Sequence, residues 1–112
     1  MVEEAGLVAR RCKPCEGRTP PLASDAIAQL MSALHADWIL SGDGKSIFRT
    51  FAFTDYNRTI LFVNAIAWIA EKEGHHPDLT VSYGKVRVLY ATHSIGGLSE
   101  NDFICAAKID RL

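Results

Sequence analysis

The sequence predicts an α+β fold in which a four-stranded antiparallel sheet carries three helices on one face (α-β-β-α-β-β-α). Helical and extended patterns alternate in that order, and each pair of strands is joined by a short glycine-containing turn, which favours hairpins over parallel crossovers. The 112 residues, 48% of them hydrophobic, suffice for one domain with its own core. We expect that domain to span residues 12–112, behind a flexible tail of residues 1–11 that shows no periodicity.

The first helix and the first hairpin follow an irregular segment of residues 12–23, which its prolines keep extended. Ser24 is expected to cap the helix, whose apolar stripe recurs at positions i, i+3, i+4 and i+7. The stripe consists of Ile27, Leu30, Met31 and Leu34. Residues 38–40 and 46–53 then predict two short strands on either side of a turn at 41–44.

A helix over residues 56–72 is predicted to be the central, mostly buried helix, because its apolar residues cover a wide face. Either Thr54 or Asp55 is expected to cap its start. Gly74 suits the position just past its end, where the chain needs a positive φ. The helix is therefore expected to end directly before His75.

The second hairpin is predicted over residues 80–82 and 86–92. In its last strand, alternate residues belong to opposite faces. One face holds Val86, Val88, Tyr90 and Thr92, and the other holds Arg87, Leu89, Ala91 and His93. The last helix is expected to begin after Ser99, with Asp102 completing a capping box.

Composition and charge restrict the classes of partner. The net charge is −1 and no run of lysine and arginine occurs, so we expect no direct contact with nucleic acid. No apolar run approaches the roughly 18 residues of a membrane span, and no signal peptide is evident, which favours a cytoplasmic protein without a membrane partner. A four-stranded sheet leaves two open edges and one bare face, so we expect a homodimer or a tetramer.

Three cysteines are an odd number, which favours a reducing compartment over a disulfide framework. Cys12 and Cys15 have the spacing of a zinc half-site or a redox pair. A closed zinc site needs two further ligands, whereas Cys105 is the only other cysteine and falls among apolar helical residues. We interpret the pair as structural, with metal binding and redox chemistry as alternatives.

Three of the four histidines, His75, His76 and His93, fall at the ends of predicted elements. Adjacent histidines in an extended segment point apart, which disfavours a metal site. Ser94 adjoins His93 but lacks the surroundings of an activated nucleophile. Acid–base catalysis such as the elimination of water suits several histidines around one pocket. The alternative is that they make structural hydrogen bonds at the surface.

The same residues form a pattern that resembles the pterin-4a-carbinolamine dehydratase family. The resemblance covers roughly residues 12–110. It includes Glu71-Lys72, His75-His76-Pro77-Asp78, Thr92-His93, Gly97-Leu98-Ser99-x-x-Asp102, and upstream Phe48-x-x-Phe51-x-Phe53-x-x-Tyr56 and the Cys-Lys-Pro-Cys-Glu-Gly arm.

The resemblance implies a 4a-hydroxytetrahydrobiopterin dehydratase that eliminates water from 4a-hydroxytetrahydropterin to give quinonoid dihydropterin, without a metal or an organic cofactor. It assigns His75 and His93 as acid–base groups and His76 as a support for the pterin ring. It implies that Glu71 orients a histidine. The implied substrate-binding residues are Pro77, Thr92, Ser94, Trp38 and Asp102. Glu71 as a solvated charge, Asp102 as a helix cap and Trp38 as a core residue are the alternatives.

Three departures from the family pattern open a second interpretation. Gly74 and Leu79 stand where many members carry an acidic residue and an aromatic residue, and Ile95 stands where animal members carry a cysteine. Members of the family also serve as coactivators of a homeodomain transcription factor or as assembly factors for Rubisco. The implied protein partner is therefore an aromatic amino acid hydroxylase for the enzyme, or Rubisco for an assembly factor.

Overall fold

The structure, a computed structural model, describes residues 2–15 and 17–112. The elements are α1 (Glu4–Ala9), α2 (Ser24–Ala33), β1 (Ile39–Leu40), β2 (Ile47–Ala52), α3 (Tyr56–Glu73), β3 (Asp78–Ser82), β4 (Lys85–Tyr90), a 3-10 turn (His93–Ile95) and α4 (Glu100–Ile109). Within those two ranges, none of the helices combines the length and the apolar character needed to cross a bilayer.

The four strands form one antiparallel sheet in the order β1-β2-β4-β3, which confirms the α+β prediction. The two hairpins meet where β2 pairs with β4, so that Ile47 lies opposite Tyr90. On the other side of β4, Leu79 of β3 lies opposite Val88. The very short β1 and the strand β3 therefore form the two edges.

Alternation along β4 decides which face of the sheet is buried. Val86, Val88 and Tyr90, which the sequence places on one face, are buried and join one hydrophobic core with residues of α3 and α4. On the opposite face the Arg87 guanidinium lies 4.4 Å from the centre of the Phe48 ring. The helices thus cover one face of the sheet and leave the other to solvent.

The N-terminal residues differ from the prediction of a loose tail. Residues 4–9 form α1, which packs on α4 and buries Leu7 completely. The ammonium group of Lys108 donates to the carbonyl of Val8 at 2.9 Å. A helix of six residues is too short to show periodicity, and its stability depends on docking rather than on its own propensity.

The most buried helix is α4, and the expectation that α3 is mostly buried is wrong. Almost every residue of α4 is buried because α1 packs on one side of it and α3 on another. In α3, by contrast, Leu61 is exposed and Trp68 is 66% exposed. The wide apolar face of α3 therefore exceeds the surface that it buries within one protomer.

The ends of the helices place the residues of the site. The Asp55 side chain accepts the Arg58 N–H and caps α3, and Gly74 ends that helix with a φ of 65°. In α2, however, the residue before the helix is Ala23, and the side chain of Ser24 makes no capping bond. The capping box predicted at α4 is present.

Candidate active site

His75 lies directly after the end of α3, at the boundary that Gly74 creates. Its backbone N–H donates to the Ala70 carbonyl at 3.1 Å, which fixes the start of the side chain. The imidazole stacks on the Tyr90 ring, with centroids 5.3 Å apart and planes at 14°. Its Nε2 lies 2.6 Å from Asp102 Oδ1. The ring, 13% exposed, is therefore held from two sides.

Asp102 is a fully buried carboxylate at the start of α4. Its Oδ2 accepts the Thr92 hydroxyl at 2.8 Å and the Ser99 backbone N–H at 2.9 Å. Since Oδ1 is bonded to His75, both carboxylate oxygens have partners. The sequence presented substrate binding and helix capping as alternatives for Asp102. In the structure its side chain caps α4 and also contacts His75.

The charge of Asp102 controls the protonation of His75. Burial alone lowers the pKa of the imidazole, because it disfavours the charged form. The hydrogen bond and the negative charge of Asp102 outweigh burial, so that the pKa of His75 lies above its ordinary value. The surroundings therefore favour an imidazolium, which is a proton donor.

A cavity of about 480 Å³ opens beside His75. Three parts of the chain line it: residues 12–15 before α2, the end of α3, and the segment around the start of α4. The lining residues include Cys12, Lys13, Pro14, Cys15, Glu71, Thr92, Ser94 and Asn101. Its size suits a small heterocyclic ligand.

The other two histidines do not line this cavity. His76 is 65% exposed, and its Nε2 lies 3.4 Å from the carboxylate of Glu71. His93 begins the 3-10 turn and lines a neighbouring cavity of about 320 Å³. Thr92 lines both cavities. The expectation of three histidines around one pocket is therefore not met within a single protomer, since successive residues of extended backbone diverge.

The remaining predicted site residues have different surroundings. The hydroxyl of Ser94 donates to the Cys15 carbonyl at 3.3 Å, at the edge of the His75 cavity. Pro77 is half-buried between α3 and β3, and it lines neither cavity. Trp38 has the surroundings of the core residue that was its alternative: its indole is buried in the core, donates to the Asp110 carboxylate at 2.9 Å and lines neither cavity.

Several residues at the site were missed by the sequence analysis. Tyr90 was placed on the same strand face as Val86 and Val88, but nothing in the pattern linked it to His75. Asn101 bonds to the main chain of Lys13, 88 residues away, and no local motif signals such a contact. Cys12 lies 3.5 Å from Cys105, Sγ to Sγ.

The thiol of Cys12 lies beside that of Cys105, which bears on the choice between structural, metal-binding and redox roles for Cys12 and Cys15. The hydrogen bond between the thiols, together with burial, raises the pKa of Cys12. Over residues 2–15 and 17–112, no three His, Cys, Asp or Glu side chains are arranged to hold a metal ion.

Comparison with known proteins identifies relatives over nearly the whole chain. Residues 20–112 match the model of a family described as "Pterin 4 alpha carbinolamine dehydratase". A protein of Nitrosospira multiformis named "Putative pterin-4-alpha-carbinolamine dehydratase" is 57% identical over 95% of this chain and 91% of its own. A protein of the same name from Nitrosomonas europaea is 54% identical over 100% of this chain and 97% of its own.

Solved structures share the fold. A transcriptional coactivator/pterin dehydratase from Brucella melitensis superposes with a TM-score of 0.77 at 32% identity, over 81% of this chain and 96% of that one. A pterin dehydratase-like protein, identified as a RuBisCO assembly factor in the alpha-carboxysome, superposes with a TM-score of 0.60 at 28% identity, over 69% of this chain and 89% of that one.

Proposed function

Because this chain belongs to the pterin-4-alpha-carbinolamine dehydratase family, we propose that it is a hydro-lyase that converts 4a-hydroxytetrahydropterin to quinonoid dihydropterin and water. The observation that carries the proposal is the pair of His75 and buried Asp102 beside a cavity. We further propose that the enzyme works as a homodimer or tetramer in the cytoplasm, without a metal or an organic cofactor.

In the proposed reaction the 4a-hydroxyl group takes a proton and leaves as water. The nitrogen N5 loses its proton, and its electron pair forms the double bond to C4a. His75 is the proposed acid, because Asp102 favours its imidazolium form. Its Nε2 is engaged by Asp102, so Nδ1 is the atom left to contact a substrate. His93 is the proposed base, reached by a ligand that lies across Thr92.

The other predicted residues have supporting roles in this proposal. Glu71 and His76, paired at the surface, would contact the outer part of the pterin. Thr92 and Ser94 contribute the wall, and Asp102 is a positioning residue that acts through His75. Pro77 sets the extended path from His75 to β3.

The test is a stopped-flow assay of 4a-hydroxytetrahydropterin dehydration with wild type, His75→Ala and His93→Ala. His35→Ala is the matched control, since His35 lies near the end of α2 and away from both cavities. We expect both site variants to lose about 10²–10⁴-fold in rate, as for an acid–base group. A wild type no faster than buffer would refute the proposal.

A non-catalytic role is the second candidate, because one solved structure with this fold was identified as a RuBisCO assembly factor and another was described as a coactivator. Under this alternative the chain binds a protein partner and needs no proton transfer at His75. Size-exclusion chromatography with purified Rubisco tests it. Co-elution that survives His75→Ala, combined with an inactive wild type, would favour this role.

A further inference from the structure

The segment of residues 11–15, here called the arm, is irregular but firmly attached. It lies before residue 20, where the match to the family model begins. All four residues from Cys12 to Cys15 line the cavity beside His75. The arm therefore contributes to the site from outside the residues that the family model matches.

Asn101 makes the most specific attachment. Its Oδ1 accepts the Lys13 backbone N–H at 3.0 Å, and its Nδ2 donates to the Lys13 carbonyl at 2.6 Å. One side-chain amide thus satisfies both main-chain groups of one residue, as a neighbouring strand would. Asn101 is buried and directly precedes Asp102, so the arm is fixed to the same turn of α4 that holds His75.

Glu73 makes a second attachment at the end of α3. Its carboxylate, 2% exposed, accepts the Cys12 backbone N–H at 2.9 Å and pairs with the Arg11 guanidinium at 3.0 Å. Burial raises the pKa of Glu73, but the Cys12 N–H and the charges of Lys108 and Arg11 outweigh it, and the pKa lies below its ordinary value. The carboxylate therefore stays charged and holds the arm near neutral pH.

We propose that the arm is the outer wall of the substrate cavity, and that Asn101 is a positioning residue that sets the affinity for the pterin without taking part in proton transfer. This inference rests on the proposed function. The two attachments flank the chemistry: Glu73 lies two residues before His75, and Asn101 lies next to Asp102. A wall of this kind contacts substrate and transition state equally, so its loss raises KM and leaves kcat unchanged.

The experiment compares kcat and KM for 4a-hydroxytetrahydropterin in wild type, Asn101→Ala and Asn101→Asp. We expect Asn101→Ala to raise KM by about tenfold with kcat within about twofold, because it loses both hydrogen bonds to Lys13. Asn101→Asp keeps an acceptor for the Lys13 N–H and loses the donor, so its KM should lie between the two. The control is Glu100→Ala, which removes an exposed ion pair with Arg10 beside the same helix turn and should leave both constants unchanged.

A second variant changes the arm instead of the body of the domain. Lys13→Pro removes the N–H that Asn101 accepts, and it should raise KM as Asn101→Ala does even if the latter folds poorly. An unchanged KM in Lys13→Pro, or an equal fall of kcat in both variants, would overturn the inference.

Failure of the proposed function is distinguishable from failure of this inference. If wild type does not dehydrate the substrate, calorimetric titration with 7,8-dihydrobiopterin still measures affinity. Binding about tenfold weaker in Asn101→Ala than in wild type would then support the wall. Equal binding by both proteins, or no binding by wild type, would overturn it.

Discussion

Asp102→Asn separates the charge of the buried carboxylate from its shape. In wild type, Oδ1 lies 2.6 Å from His75 Nε2 in a place where Asp102 is fully buried. An asparagine retains an acceptor for the Ser99 N–H but removes the negative charge that outweighs burial at His75. We expect the pKa of His75 to be lower in this variant than in wild type, because the charge of Asp102 then no longer opposes the effect of burial.

The cost in stability depends on pH. A charge-assisted hydrogen bond contributes about 1.5–3 kcal/mol, which the variant loses while His75 is charged. Because folding raises the pKa of His75, this contribution is fully present below about pH 6.5, the value of an unperturbed histidine, and is lost as the pH rises through the folded-state pKa. The free energy of unfolding should therefore fall by about 2 kcal/mol at pH 6 and by less at pH 9.

Two measurements check this reasoning: urea unfolding at both pH values and an NMR titration of His75. Asp55→Asn is the matched control, since Asp55 also caps a helix but lies at the surface and does not contact a histidine. We expect its effect to be the same at both pH values. A destabilisation by Asp102→Asn that is equal at pH 6 and pH 9, with an unchanged His75 titration, would refute the electrostatic account.

Two further predictions concern the packing around the site and the N-terminal helix. Tyr90→Phe should change the free energy of unfolding by no more than about 1 kcal/mol in urea unfolding, because the buried Tyr90 hydroxyl makes no hydrogen bond of normal geometry among the described residues. The Cys105 thiol near it is only a weak acceptor, and the ring still stacks on His75. A loss of more than about 2 kcal/mol would show that the hydroxyl has a strong partner. Leu7→Ala should lower the free energy of unfolding by about 2–5 kcal/mol in the same assay and hasten tryptic cleavage before α2, since Leu7 is fully buried against α4. If the variant instead unfolds at the same urea concentration as wild type, α1 adds nothing to stability.

Local patterns predicted most of the fold. Alternation in β4 separated its two faces, and Gly74 and the choice of Thr54 or Asp55 marked the ends of α3, because capping and pleating depend on neighbours in sequence. That α4 is more completely buried than α3 was not predictable in this way. It depends on α1, a helix whose six residues carry no periodic signal.

The site shows the same division. The histidines and Asp102 were identified from their spacing and from a family resemblance, but their separation into two cavities depends on the path of the backbone around Thr92. Trp38 was left open between core and pocket, because an aromatic residue at the start of a strand suits either place. Asn101 carries no signal at all, since its contact with Lys13 joins opposite ends of the chain.

The double role of Asp102 has a consequence for motion at the site. The carboxylate that pairs with His75 also closes the first turn of α4, the helix buried most completely in this domain. Helices of this kind open only in the rarest, near-global fluctuations, whereas active-site groups are commonly drawn from segments that open easily. The protonation state of His75 is thus tied to the part of the molecule in which we expect the slowest hydrogen exchange. Any freedom that a ligand needs for entry is therefore expected from segments other than α4.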